Sequence, residues 1–150
     1  MPFEEKVTWV SAVVSVFVSA VYFSVVGGQL DSGPVSEIAY QRWMLIAVVA
    51  TIAMTIVGSI MAGIGTGISA EITGKGSVDD IGLKDERDEH INRRGERVGY
   101  YVASVGALGV LALAMLRFDQ FWIANALYLT FVVGGLVSSA VKLVAYRRGF

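Results

Sequence analysis

Four stretches of the chain carry no Asp, Glu, Lys or Arg: Val7 to Leu30, Trp43 to Ala70, Val98 to Leu116 and Gln120 to Val141. Each is close to or longer than the roughly 20 residues that cross a 30 Å hydrocarbon core. A core helix of a soluble protein must show a polar face to water, so it rarely stays uncharged for so long. Strands of a transmembrane barrel alternate apolar and polar positions over about ten residues, whereas these runs are apolar all round. The pattern predicts an all-α, polytopic membrane protein with four transmembrane helices at about 7–30, 37–70, 85–116 and 120–146. They form one domain over residues 1–150, with a loop at about 71–84 and helix three extended into the cytoplasm.

Composition agrees: 55 % of the residues are hydrophobic and the mean hydropathy is +0.62. The first run resembles a signal peptide only in outline. Glu4 and Glu5 precede it beside Lys6, and it exceeds the 7 to 15 residues of a signal core, so it is expected to stay attached. Cysteine is absent, which excludes disulfides, thiolate zinc sites and lipid attachment at Cys. A formal net charge of −1 makes no case for a nucleic-acid partner.

The charges instead set the topology. Lys and Arg flanking a span are retained on the cytoplasmic side. With both termini inside, all 12 Lys and Arg except Arg42 and Arg117 fall in the cytoplasm. Trp9, Tyr100, Tyr101 and Tyr146 then mark the inner interface, and Tyr40, Trp43, Phe118, Phe121 and Trp122 the outer one. In the first outer loop, QLDSGPVSE, Asp31, Gly33 and Pro34 are turn residues, and Ser36 is the expected N-cap of helix two with Glu37 in its first turn. The outer connection RFDQ is short enough to make helices three and four an antiparallel hairpin. Asp85 is the expected N-cap of helix three, with Asp88 in its first turn. From Asp85 to Arg97 that helix would project about 20 Å before entering the membrane.

Small residues line up at helical spacing. Asp88, Asn92, Gly95, Gly99, Ala103 and Ala107 share one face of helix three, and Gly95 and Gly99 form a small-xxx-small step that lets backbones approach closely. Comparable stripes are Ser11, Ser15 and Ser19 in helix one, Ser59, Gly63 and Gly67 in helix two, and Gly134, Gly135, Ser138 and Ser139 in helix four. They serve either packing within the chain or an interface between copies, and a homo-oligomer is expected because four thin helices bury little alone.

The run KDERDEHINRRGERVGYYV, Lys84 to Val102, is the densest charge in the chain and admits three readings. As a metal or catalytic centre, it offers the i, i+4 pairs Asp85 with Glu89 and Glu86 with His90. Arg87, Arg93, Arg94 and Arg97 interleave with those acids, however, and H-E-x-x-H is absent. No metal, cofactor or catalytic residue is expected. As a solvated helix end, Glu89 pairs with Arg93 and Glu86 with His90, while Arg93, Arg94 and Arg97 reach lipid headgroups. As a docking face, Asp88 and Asn92 need buried partners because they sit on the close-packed stripe.

Two families that the chain outwardly resembles are set aside. Asp85-x-x-Asp88 is similar to the opening of the CDP-alcohol phosphotransferase motif, but Glu89 stands where that motif needs Gly, and its second acidic pair is missing. Small multidrug transporters depend on an acidic residue within the first helix, and Val7 to Leu30 has none. At Asp85 to Ile91, followed by Arg94-Gly95 and Tyr100-Tyr101, the chain resembles a group of small prokaryotic membrane proteins with a D-E-R-D-like signature before a transmembrane helix, classed as a domain of unknown function. That resemblance implies a prokaryotic plasma (inner) membrane and no activity.

The expectation is a non-enzymatic accessory or regulatory subunit. Its contacts would be carried by Asp85, Glu86, Arg87, Asp88, Ile91, Asn92, Arg94, Gly95 and Gly99. Its partners would be the lipid bilayer, further copies of itself and a membrane or cytoplasmic protein. The alternative is a small homo-oligomeric channel or transporter.

Overall fold

The computed structural model describes residues 3–30, 33–73 and 86–148, with the backbone alone described for 66–73. Four α-helices run in sequence: α1 (Phe3–Gly27), α2 (Tyr40–Thr73), α3 (Glu86–Met115) and α4 (Gln120–Arg148). All four are long and apolar enough to cross a membrane, and no strand occurs among the described residues. The protein is an all-α, multi-pass membrane protein. Asp31, the expected N-cap Asp85 and positions 74–84 of the expected loop lie outside the described residues.

The helix ends follow local chemistry, with one correction. α1 begins before its uncharged run because Glu4 and Glu5 suit the positive end of a helix. It stops at Gly27, where Gln29 N–H turns back to the Val26 carbonyl and Leu30 N–H to that of Gly27. Ser36 does not cap α2. After Pro34 the chain makes a single 3-10 turn, Val35–Glu37, and Ile38 is extended, so α2 starts only at Tyr40. Burial explains the delay: Ile38 and Tyr40 are each 6 % exposed, and the Tyr40 ring meets that of Phe121 edge-on at 5.3 Å. Continuing the helix back to Ser36 would pull both out of the core.

The α3–α4 hairpin closes as the short RFDQ connection predicts. Phe118 N–H donates to the Leu113 carbonyl and Arg117 N–H to that of Ala114, the paired bonds of a Schellman turn. The left-handed position of that turn is taken by Arg117, at φ 58°.

Helix order is the main fact that the hydropathy pattern leaves open. α1 packs on α2 and on α4, and α3 packs on α4. The described helices thus form a row, α2–α1–α4–α3, with α2 and α3 at its edges. In their spanning windows 22 % of α1 is buried, against 6 % of both α2 and α3. The faces left over are apolar: Leu45, Val49 and Met61 on α2, and Val105, Leu108 and Met115 on α3, are all exposed, as lipid-facing side chains should be.

The core lies toward the end of the row away from the charged run. Val14, Val18, Tyr22 and Val26 recur every fourth residue along α1 and pack with Ile38, Tyr40, Ala47 and Phe121. Within it, the Tyr22 hydroxyl donates to Asn125 Oδ1 at 2.7 Å, and Asn125 Nδ2 donates to the Phe121 carbonyl at 2.8 Å. The rings of Tyr22, Phe23 and Tyr128 meet around this pair at centroid distances of 4.9 to 5.8 Å. Six Ser and Thr hydroxyls among the described residues bond within their own helix. Thr8, Ser24, Thr51, Ser59 and Thr130 each donate to the carbonyl four residues back, as does Ser19 to Ser15.

Candidate functional site: the charged stalk

The first three turns of α3, Glu86 to Arg97, carry the densest charge among the described residues. Their position is fixed by α4. Gly95 faces Lys142 and Ser138, Gly99 faces Ser138 and Gly134, and Gly106 faces Thr130, so the two helices run antiparallel in a constant register. A Cβ on Gly99 would lie 2.7 Å from the Gly134 carbonyl oxygen, and one on Gly95 would lie 2.9 Å from that of Ser138. Only glycine permits this approach, because the atoms in the way are backbone. The stem of Lys142 lies across Gly95, and its Nζ reaches Glu96 Oε1 at 3.5 Å.

Ile91, fully buried at 0 % exposure, is the stalk's anchor. Beside it, Asn92 Nδ2 donates to Glu4 Oε2 on α1, a long bond at 3.4 Å. The hydroxyl of Tyr146, on α4, is buried within electrostatic reach of the carboxylates of Asp88, Glu4 and Glu5. Glu5 is itself 7 % exposed. Arg147 covers the Trp9 ring at 5.6 Å, tying the end of α4 to the start of α1. The stalk is therefore braced on one side by its own chain.

This arrangement divides the sequence-derived residues. Ile91, Gly95 and Gly99 are buried, the two glycines against α4, so the small-residue step is an intramolecular contact. Asp88 and Asn92 are half-buried at the junction with α1 and α4. Glu86, Arg87 and Arg94 are exposed, and Asp85 lies outside the described residues. The expected Glu89–Arg93 ion pair forms, with both side chains more than half exposed.

Two exposed faces remain. On one, Arg87, His90, Arg93, Arg94 and Arg97 line a concavity of about 510 Å³. On the other flank stand Glu89 and Glu96, with Glu86 at the boundary. Among the described residues no group of three or more His, Asp or Glu is placed to hold a metal ion.

Sequence reasoning missed Glu4, Lys142 and Tyr146 as partners of the stalk. Lys142 was legible, since it continues the row Gly134, Ser138 at four-residue spacing. Glu4 was not, because nothing local joins it to Asn92, 88 residues away.

No family model, curated protein or solved structure matches the chain.

Proposed function

We propose that this protein is a non-enzymatic accessory or regulatory subunit of a prokaryotic plasma (inner) membrane, with both termini in the cytoplasm, acting through its stalk on a second membrane or cytoplasmic protein. The observation that carries the reading is the bracing of Glu86–Arg97 by Lys142, Ser138 and Glu4. It holds a charged surface in fixed orientation while leaving Glu86 and Glu89 exposed and turned away from the chain's own packing. Such pre-ordering lowers the entropic cost of docking. The orientation is supported by the excess of Lys and Arg at the stalk end, and the membrane by the D-E-R-D-like resemblance. Further copies of the chain are expected along the exposed apolar faces of α2 and α3.

Native mass spectrometry of the protein extracted gently from its own membrane tests this reading. A defined second chain should co-purify, and Glu86→Lys/Glu89→Lys should release it without changing the copy number of this chain. A clean homo-oligomer with no second chain would overturn the accessory role in favour of the channel or transporter alternative, for which solute flux in proteoliposomes is the measurement. Orientation is read separately in this cysteine-free chain: Asp119→Cys should label from outside and Glu89→Cys only after permeabilisation.

A further inference from the structure

The bracing of the stalk accounts for one of its faces and leaves its basic face unexplained. Arg87, His90, Arg94 and Arg97 recur at i, i+3, i+7 and i+10, a single stripe on α3, and Arg93 borders it. Together they line the concavity of about 510 Å³, a size within the range of small-ligand sites. Glu89 pairs with Arg93, and Glu86 shares a hollow with His90 and Arg93, so the excess positive charge of this surface comes from Arg87, Arg94 and Arg97. The stripe continues to Tyr101, which is 62 % exposed and lies one turn inside the uncharged run that begins at Val98. An aromatic ring there belongs at the headgroup level, so it sets the depth at which the membrane surface crosses the stripe.

Depth separates this site from ordinary anchoring. A headgroup layer adds roughly 5 to 8 Å to each side of the hydrocarbon core. Arg93, Arg94 and Arg97 fall within it, and their reach to lipid phosphates needs no special site. Arg87 lies ten residues from Arg97, about 15 Å along the helix, and His90 about 10 Å. Both stand beyond the layer yet on the same concave stripe. A diffuse lipid surface satisfies the upper arginines only. One ligand satisfies the whole stripe if its phosphate reaches down between Arg94 and Arg87, where planar guanidinium groups bind phosphate oxygens in pairs.

We propose that this basic concavity is a phosphate-binding site whose ligand is an anionic headgroup projecting from the adjacent leaflet. Clustered arginines next to a transmembrane helix attract such headgroups by roughly fivefold per charge, or about 30-fold for two. The site requires no protein partner, so it stands or falls independently of the accessory role.

The test uses the full chain in nanodiscs. In one arm, native mass spectrometry reads lipids retained from phosphatidylglycerol or from phosphatidylcholine discs. In the other, phosphatidylcholine discs are titrated with inorganic pyrophosphate and followed by phosphorus NMR line broadening. Retention of phosphatidylglycerol over phosphatidylcholine is expected, and Arg87→Gln/Arg97→Gln should reduce it on the order of 30-fold. Arg147→Gln/Arg148→Gln removes the same charge from α4 at the same end, and its loss should be at least about threefold smaller, because neither side chain lines the concavity. Pyrophosphate binding lost in Arg87→Gln/Arg97→Gln, without lipid preference, would establish the same phosphate chemistry with its source in solution. Equal losses in the two double variants, or no anion selectivity in either arm, would overturn the site.

Discussion

α4 is held to its two neighbours in different ways. Against α3 it offers Gly134, Ser138 and the stem of Lys142 to Gly99 and Gly95, and the helices come close enough for backbone carbonyls to lie against the glycines. Against α1 it offers Asn125 and Tyr128 to Tyr22 and Phe23, and the contact is made by large side chains and one buried hydrogen bond. Lipid tails are as apolar as leucine, so neither contact is driven by removing apolar surface from water. The first relies on close dispersion contact over a long register, the second on pairing the Tyr22 hydroxyl with Asn125 Oδ1 away from water. The glycine contact should therefore be intolerant of added volume, and the polar contact tolerant of volume but sensitive to a lost donor or acceptor.

The sharpest way to break the comparison is to add bulk to the glycine face. A side chain at Gly99 meets the Gly134 carbonyl, which cannot move without separating the helices. Gly99→Leu should cost about 3 kcal/mol or more of reversible unfolding free energy in mixed micelles. It should also free the stalk, raising hydrogen exchange at Asn92 and Arg93. Gly109, on the same helix, has nothing within 4 Å of an added Cβ. Gly109→Leu should leave stability within about 0.5 kcal/mol of the parent. Equal costs at the two positions would mean that the close approach at Gly99 does not hold the hairpin.

The polar contact is next in size. Asn125→Ala leaves the Tyr22 hydroxyl without its acceptor and should cost about 1 to 2 kcal/mol, a smaller effect than that of Gly99→Leu. Tyr22→Phe removes the other half. A double-mutant cycle between them should return a coupling of roughly 0.6 kcal/mol, the usual size within membranes, where an unfolded chain also finds partners. A coupling near zero would reassign the contact to the surrounding rings alone.

These two contacts also mark how far the sequence could be read. The four spans follow from charge-free length, and the hairpin from the shortness of RFDQ. Gly95 and Gly99 were visible as a close-packing step because small residues at i, i+4 have one steric consequence, whatever the partner. That the partner is α4 of the same chain was not visible, because Gly58 on α2 makes an equally close approach to Val10 on α1 from an unremarkable setting. Ser36 failed as an N-cap since local capping chemistry is worth about 1 kcal/mol and burying Ile38 and Tyr40 outweighs it. Asn125 gave no signal by itself: one amide in an apolar run shows that a partner is needed and not which residue supplies it. Asp88 and Asn92 were legible in the same limited sense.

The turn that joins α3 to α4 allows a smaller adjustment. Arg117 occupies the left-handed position of the Schellman turn, where a side chain crowds the following carbonyl. Arg117→Gly should stabilise the hairpin by about 1 kcal/mol, less whatever glycine adds in unfolded-state entropy. No change, or a loss, in the same micelle assay would show that the Arg117 side chain itself contributes at that end.

The smallest effect is expected where the glycine contact meets water. Lys142 is mostly covered by α3, with its side chain 16 % exposed, whereas Glu96 is 69 % exposed, and their atoms are 3.5 Å apart. An ion pair with one partner so well solvated contributes little, since water and salt already stabilise the carboxylate. Glu96→Gln should therefore change stability by less than about 0.5 kcal/mol. Lys142→Ala should cost more, because it removes the stem that lies over Gly95 and not only the charge. Lys142→Met keeps a comparable stem and no charge, so it separates the two contributions: it should behave like Glu96→Gln. If it instead matched Lys142→Ala, the charge rather than the stem would be what secures the stalk to α4, and the α3–α4 contact would have to be counted as polar at its water-facing end.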